Sequence, residues 1–493
     1  MTLTEQNKLR WIYIACGIFI VLNAVLISFE FFYLPLLPVA LFLVLLSLLS
    51  LDKLVLFIVF CTPLSVNLPD VGIGGIGLTL PTDPLLFGAM LLFFFKLVME
   101  QKFDRQIMKH PLTIAITINL LWIGLATITS EMPMVSLKFF LSRLWYVVTF
   151  YFITTQIFRN PDKINVYIWT FIIALTGIII YTIVHHSMYG FLEQPAHWVM
   201  SPFFNDHTSY GAILAMFYPF LIGTLFSPRI SRSFRIVIIP LVLLFTLALI
   251  LSYTRAAWVS LLFAFGVFMI MKLKIKFRTV FMISLVFVGL LGSLREQIIM
   301  KLEKNRQDSS ANLAEHVQSI SNISSDASNL ERLNRWSSAL RMFEERPFLG
   351  WGPGTYMFKY APYQSSQEIT SISTNAGDKG NAHSEYIGPL SESGLLGAIS
   401  FILIVILSSY TAIKLYTRLE DKAMKFYVMS LLLGLMTYFI HGILNNFLDT
   451  DKASAPFWGF MAAIVTIDVY HRRYVTKAKE LPSQSSQPQP DRK

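Results

Sequence analysis

Charge is scarce in this chain. Charged residues make up 14% of the 493, against 54% hydrophobic, a balance too apolar for a soluble domain of this length. Cysteine is nearly absent. Cys16 and Cys61 are the two, both within apolar runs, which leaves no disulfide framework and no Cys-based metal site. No helix-borne ligand pair such as H-E-x-x-H occurs. The segments that read as external also lack a compact acidic cluster for Mg²⁺ or Mn²⁺, so neither metal nor cofactor is expected. No small-x-small cleavage site follows the first apolar run, so Lys8, Arg10 and the stretch Trp11–Ser28 read as an uncleaved helix and not as a removed signal. No internal repeat is evident. The net charge of +10 would suit nucleic acid in a soluble protein. Here the basic residues fall in short segments between apolar blocks, so they read as topology signals.

What remains is length of apolar sequence. The hydrophobic residues come in blocks of roughly 17–22, enough to cross a bilayer's hydrocarbon core, without the polar face that a soluble helix shows. Fourteen candidate spans follow: 11–28, 32–50, 53–67, 84–99, 111–129, 140–158, 165–185, 208–226, 235–252, 256–272, 278–294, 386–413, 424–442 and 455–470. With the N-terminus inside, the clusters Lys102/Arg105/Lys109, Arg159/Lys163, Arg229/Arg232/Arg235, Lys272/Lys274/Lys276/Arg278, Lys414/Arg418/Lys422 and Arg472/Arg473/Lys477/Lys479 are cytoplasmic. The opposite short connections hold little more than Lys138, Arg143, Arg255 and Lys452, as the positive-inside rule requires. Both termini are then cytoplasmic.

This topology divides the chain into N-terminal spans (1–204), a second set of spans (205–294), one long external loop (295–385), C-terminal spans (386–470) and a cytoplasmic tail (471–493) rich in Pro, Gln and Ser, whose composition favours disorder. Within the loop, 327–345 reads as a helix with Leu333, Trp336, Leu340 and Phe343 on one stripe. A turn follows at Pro347, Gly350, Gly352, Pro353 and Gly354.

Catalytic candidates are polar groups on the external side that topology does not require. Arg255 follows Ser252-Tyr253-Thr254 in a very short connection between strongly apolar spans. An arginine there needs an anionic partner, unless it snorkels to lipid headgroups. Arg332 and Arg335 lie on the loop helix and present a planar fork suited to phosphate oxygens; the alternative is a solvated helix face. His383 stands where the long loop returns to the membrane, and a histidine titrating near neutrality can take a proton from a hydroxyl. Glu385, two residues on, is placed to orient it. His185, His186, His197, Asp206 and His207 cluster after the seventh span, and helix capping accounts for Asp206.

Three stretches together resemble the O-antigen ligase and polymerase superfamily of bacterial envelope glycosyltransferases. Ser252–Trp258 (SYTRAAW) resembles its Ser-x-x-Arg-small-small element. Arg332–Tyr356 (RLNRWSSALRMFEERPFLGWGPGTY) resembles its loop-helix signature, with Trp four residues after Arg and then Pro-x-x-Gly-x-Gly-x-Gly. Asn381–Gly397 (NAHSEYIGPLSESGLLG) resembles its His-containing element, with Ser384 where the family often has Asn. The resemblance covers roughly residues 205–445. It implies an all-α, polytopic, GT-C-like fold in the bacterial inner membrane and a metal-independent, inverting transfer on the periplasmic face. The donor would be a glycan on undecaprenyl diphosphate, and the acceptor a lipid A-core-type molecule or another glycan. His383 would be the base, and Arg255 and Arg332 would hold the diphosphate. Arg335, Glu385, Asp206 and His207 are secondary candidates. A repeat-unit polymerase shares this donor chemistry. A transporter or flippase would place ionisable groups at mid-membrane, where these spans have almost none; a non-catalytic assembly scaffold is the remaining alternative.

Overall fold

The computed structural model describes residues 3–28, 50–68, 77–100, 103–227, 231–276, 327–370 and 380–471, with single positions at 278, 279, 282, 285, 289, 293 and 373. Nearly all of the expected spans 32–50 and 278–294, the whole of 295–326 and nearly all of the tail lie outside the described residues. The chain divides into two units, Met1–Phe57 and Ile58–Lys493, and the candidate site lies wholly within the second. Helices α1 (Leu3–Ser28) and α2 (Leu51–Leu64) come first.

Among the described residues nine helices are long and apolar enough to cross a membrane. They are α3 (Thr82–Glu100), α4 (Pro111–Ile128), α6 (Asp162–Ser187), α7 (His207–Leu225), α8 (Arg232–Leu251), α9 (Arg255–Lys272), α11 (Gly388–Arg418), α12 (Lys422–Leu444) and the span Asp451–Tyr470, whose α-helical part is α13 (Asp451–Thr466). The chain is mostly helical, as expected of an all-α polytopic membrane protein. Bundle and lipid are equally apolar, so helices associate by close packing and polar contacts. A small β-hairpin departs from the all-α reading. Val66–Leu68 pairs antiparallel with Leu78–Leu80, so the third expected span (53–67) ends as helix at Leu64. The sixth expected span (140–158) lies in a longer broken helix: α5 (Pro133–Val147) passes through a π-helical turn at Val148–Ile153 into Thr154–Ile157.

The loop helix α10 runs Ala327–Glu345 and packs against α11. Its buried side is not the expected apolar stripe. Leu333 and Leu340 are exposed, whereas Glu331, Asn334, Arg335, Ser338, Ala339 and Met342 are buried. The reason is the partner: α10 faces polar chain at Gln364, Thr370 and Asn381, which hydrogen-bonds its polar side.

The glycine turn after α10 is stitched to α11. Trp351 N–H donates to Ser391 O (2.9 Å), Gly352 N–H to Glu392 O (2.9 Å) and Leu395 N–H to Pro347 O (2.8 Å). Two glycines permit this approach. A Cβ on Gly350 (φ 68°) would lie 2.4 Å from the Glu392 carbonyl carbon, and one on Gly394 (φ 69°) would lie 2.0 Å from Phe348 O. Gly394 interrupts α11, which leaves the Ser391 and Glu392 carbonyls to accept, and the Leu395 N–H to donate, these loop bonds.

Candidate functional site

Three sequence segments converge at one end of the bundle. The first is the turn into α9. Thr254 Oγ1 donates to His207 O (2.8 Å), and Gly211 is the only residue small enough opposite it, since a Cβ there would lie 2.7 Å from Thr254 Cβ. Tyr253 adopts φ 49°, a left-handed conformation costing about 1–3 kcal/mol for a bulky residue. It is fixed in that conformation by its phenol, which donates to Phe191 O (3.0 Å). Arg255 is therefore presented as the first residue of α9, where the helix's positive end adds to its own charge.

The second segment is α10. Arg332 is half-buried, and its Nε donates to Leu444 O at the C-terminus of α12 (3.1 Å). Burial, with Arg255 nearby, lowers its pKa to about 10 against the pull of Asp206. The two arginines thus lie within each other's field. Arg335 is not on a solvated face: it is 6% exposed. It pairs with Glu331 (2.8 Å) and donates to Asn381 O (3.0 Å), and it lies over the Tyr360 ring at 5.4 Å. Gly380 (φ 92°) makes room for it, because a Cβ there would meet Nη1 at 1.7 Å. Glu331, 3% exposed, is the hub beneath, also accepting from Thr370 (2.8 Å) and from Ser373.

The third segment carries His383. Its backbone is left-handed (φ 49°), and its N–H donates to the Asn381 side-chain carbonyl (3.0 Å). A chain of bonds from Glu331 through Arg335 and Asn381 thus sets the backbone of His383. Burial, then the fields of Arg335 and Arg332, lowers the imidazole to about 3, so it stands neutral. Ser384 Oγ accepts from Tyr386 and Ile387 N–H (3.3 Å each) and so holds the turn that leads into α11.

Glu385 lies elsewhere than expected. Its Oε1 accepts from the Tyr438 phenol (2.6 Å) and from the N–H groups of Phe447 (2.8 Å) and Leu448 (2.9 Å). It ties down the α12–α13 connection; no bond to the imidazole of His383 accompanies these. Asp206 caps α7 as expected, accepting from Thr208 and Ser209 N–H (2.7 and 2.8 Å). His207 stacks on His197 with centroids 4.2 Å apart and lies within reach of Asp206, Arg332 and Arg255. His185 and His186 bond the carbonyls of Val199 (2.9 Å) and Leu192 (2.7 Å), roles of support. Among the described residues no group of three or more His, Cys, Asp or Glu is placed to hold a metal ion.

Sequence reasoning passed over two groups. Glu331 reads as an ordinary helix-surface acid, and nothing but its i,i+4 spacing to Arg335 could have marked it. His441, 1% exposed, accompanies the cluster from within α12, its Nε2 3.1 Å from Asn445 Nδ2. A histidine inside an apolar span was the available signal.

No curated protein matches the chain. Residues 239–402 do match a family model, that of O-antigen ligase. That stretch is about a third of the chain, running from within α8 to the first half of α11, and Arg255, Arg332 and His383 all fall inside it. The match supports placing this chain in the O-antigen ligase superfamily of membrane proteins.

Proposed function

We propose that the chain transfers a glycan from a polyprenyl diphosphate carrier, undecaprenyl in a bacterial inner membrane, to an acceptor hydroxyl. The reading is O-antigen ligase-like, metal-independent and inverting. The observation that carries it is the convergence of Arg255, Arg332 and His383 from three separate segments at one end of the bundle. That end would face the periplasm, with both termini in the cytoplasm. Residues 205–294 and 386–470 would supply the spans around the site, 295–385 its covering loop, and 1–204 the flanking spans.

The acceptor oxygen attacks the anomeric carbon from the face opposite the diphosphate. Its C–O bond forms as the bond to the diphosphate breaks, and the bonding pair leaves with the phosphate. Arg255 and Arg332 hold that growing charge; charge-assisted bonds from fixed guanidinium groups are strong where water is excluded. The hydroxyl proton passes to His383. Burial first, and then the fields of Arg335 and Arg332, hold the imidazole well below its ordinary value. A diphosphate held by Arg255 and Arg332 offsets the Arg332 field and raises the basicity of His383 when the donor is present. Arg335 and Glu331 then act as positioning residues through Asn381.

The test is transfer by detergent-purified protein from a polyprenyl diphosphate-linked glycan in excess EDTA. Wild type should transfer, while His383→Ala, Arg255→Ala and Arg332→Ala should transfer far more slowly. A single added glycan marks a ligase, and a ladder marks a polymerase. Equal transfer by wild type and His383→Ala would remove the histidine from its role. Donor binding without transfer to any acceptor would favour transport or scaffolding.

A further inference from the structure

Beside the cationic cluster lies a cavity of opposite character. Its volume is about 280 Å³, and Asp206 belongs to both regions. Three further carboxylates line it, Asp83, Asp449 and Asp451, against two lysines, Lys138 and Lys452. Two of the four carboxylates are occupied. Asp451 accepts from Ser65 and Thr82 hydroxyls (2.6 and 2.7 Å) and from Lys452 N–H (2.8 Å); Asp206 caps α7. The lysines are occupied too: Lys452 bonds Ser65 (Oγ 2.6 Å, O 3.0 Å), and Lys138 bonds Gly77 O (2.7 Å).

Two carboxylates remain. Asp83 is 7% exposed; its Oδ2 accepts from Thr79 N–H (2.8 Å), but its Oδ1 is buried with no partner. A buried acceptor left without a donor costs about 1–3 kcal/mol, so this atom is poised to gain one. Asp449 projects openly into the cavity. The walls between them are aromatic at Tyr146, Phe204 and Phe447.

Carboxylates that accept from hydroxyls, beside flat apolar faces, suit a sugar ring, and the excess of negative charge repels a second carboxylate. We propose that this cavity is a carbohydrate subsite for an uncharged or amino-substituted sugar, gripped through its hydroxyls by Asp83 and Asp449, and that it rejects acidic sugars. This rests on the glycan-transfer reading and adds a substrate preference to it. The sugar is either the donor's first residue or the acceptor's, since both must lie beside the diphosphate.

The test is saturation-transfer NMR on the full-length protein in detergent, with methyl α-glucoside, glucosamine and glucuronic acid as probes. The first two should give signals at least fivefold stronger than the third. Asp449→Asn should reduce those signals at least threefold and narrow the discrimination against glucuronic acid, with thermal unfolding unchanged. Asp83→Asn should do the same; if it fails to fold, Asp449→Asn carries the test. Equal signals from glucuronic acid, or none that depend on Asp449, would overturn the subsite. A short prenyl diphosphate-linked N-acetylglucosamine assigns the source. If it displaces methyl α-glucoside, the cavity holds the donor's sugar; if both bind together, it holds the acceptor's. Arg255→Ala should leave the sugar signals intact, so a failed transfer assay with persisting signals would sink the reaction and not the subsite.

Discussion

Helices α9 and α13 both begin at the site end, have similar mean hydropathy, and start with charged residues. They nevertheless occupy opposite environments. Every residue of α13 from Asp451 to Thr466 is buried, whereas α9 buries only Ala257, Ser260 and Ala264. In a bilayer the two environments are equally apolar, so apolar sequence does not distinguish centre from rim. The difference lies in what the leading charges do. Asp451 and Lys452 are locked among Ser65, Thr82 and each other. Arg255 sits half-buried at the rim, where its guanidinium can still meet a ligand. Charge at the centre is buried in the fold's own bonds, and charge at the rim stays half-buried.

The largest expected effect breaks the central half of this comparison. Lys452→Met should lower stability by about 3–5 kcal/mol by stranding a buried carboxylate, seen as a large fall in Tm, with recovery in the Asp451→Asn/Lys452→Met double variant. An unchanged melt would mean that the pair is not a strut. At the rim, Arg255→Ala should leave Tm within about 2 °C while cutting transfer about 10²–10³-fold, the scale of losing one charge-stabilising donor. A matching loss of Tm would move Arg255 into the fold's support.

Two smaller effects sharpen the contrast. His383 is held near 3 when folded and has an ordinary value near 6.5 when unfolded. The unfolded chain therefore binds the extra proton between those values. The stability of the native state is whole above pH 6.5 and falls as pH drops toward 3. Between pH 7 and 5, His383→Asn should remove a loss of about 1–2 kcal/mol, read as a flatter plot of Tm against pH; asparagine tolerates the positive φ. Parallel plots for the two proteins would show that the imidazole is not suppressed. Least of all, Leu340→Gln on the exposed face of α10 should change Tm negligibly, within about 0.5 kcal/mol, whereas Gly380→Ala should cost about 1–3 kcal/mol by displacing Arg335. Reversed ranks would mean that the expected apolar stripe is buried after all.

The resemblance brought Arg255, Arg332 and His383 together in sequence, and residue type alone was enough to nominate them. The positions of nine spans among the described residues were legible because bilayer thickness imposes a length. The burial of α10 was not legible. Its polar side is satisfied by Gln364, Thr370, Asn381 and Ser373, distant residues whose approach no periodicity reveals. Glu385 was misread for a related reason. Proximity of two residues in sequence suggested a partner for His383, whereas the turn aims the carboxylate at α12 and the connection beyond it. The strand pair Val66–Leu68 and Leu78–Leu80 was not legible because a short apolar strand looks like the end of an apolar span.

The stitching of the glycine turn into α11 has a kinetic meaning. Trp351, Gly352 and Leu395 donate their N–H groups across the same seam, so none of them can exchange with solvent until the turn and the broken start of α11 part together. They form one cooperative opening unit. Any movement of α10 that exposes the arginines while the seam stays closed must pivot about this turn, which confines the loop helix to swinging from a fixed corner.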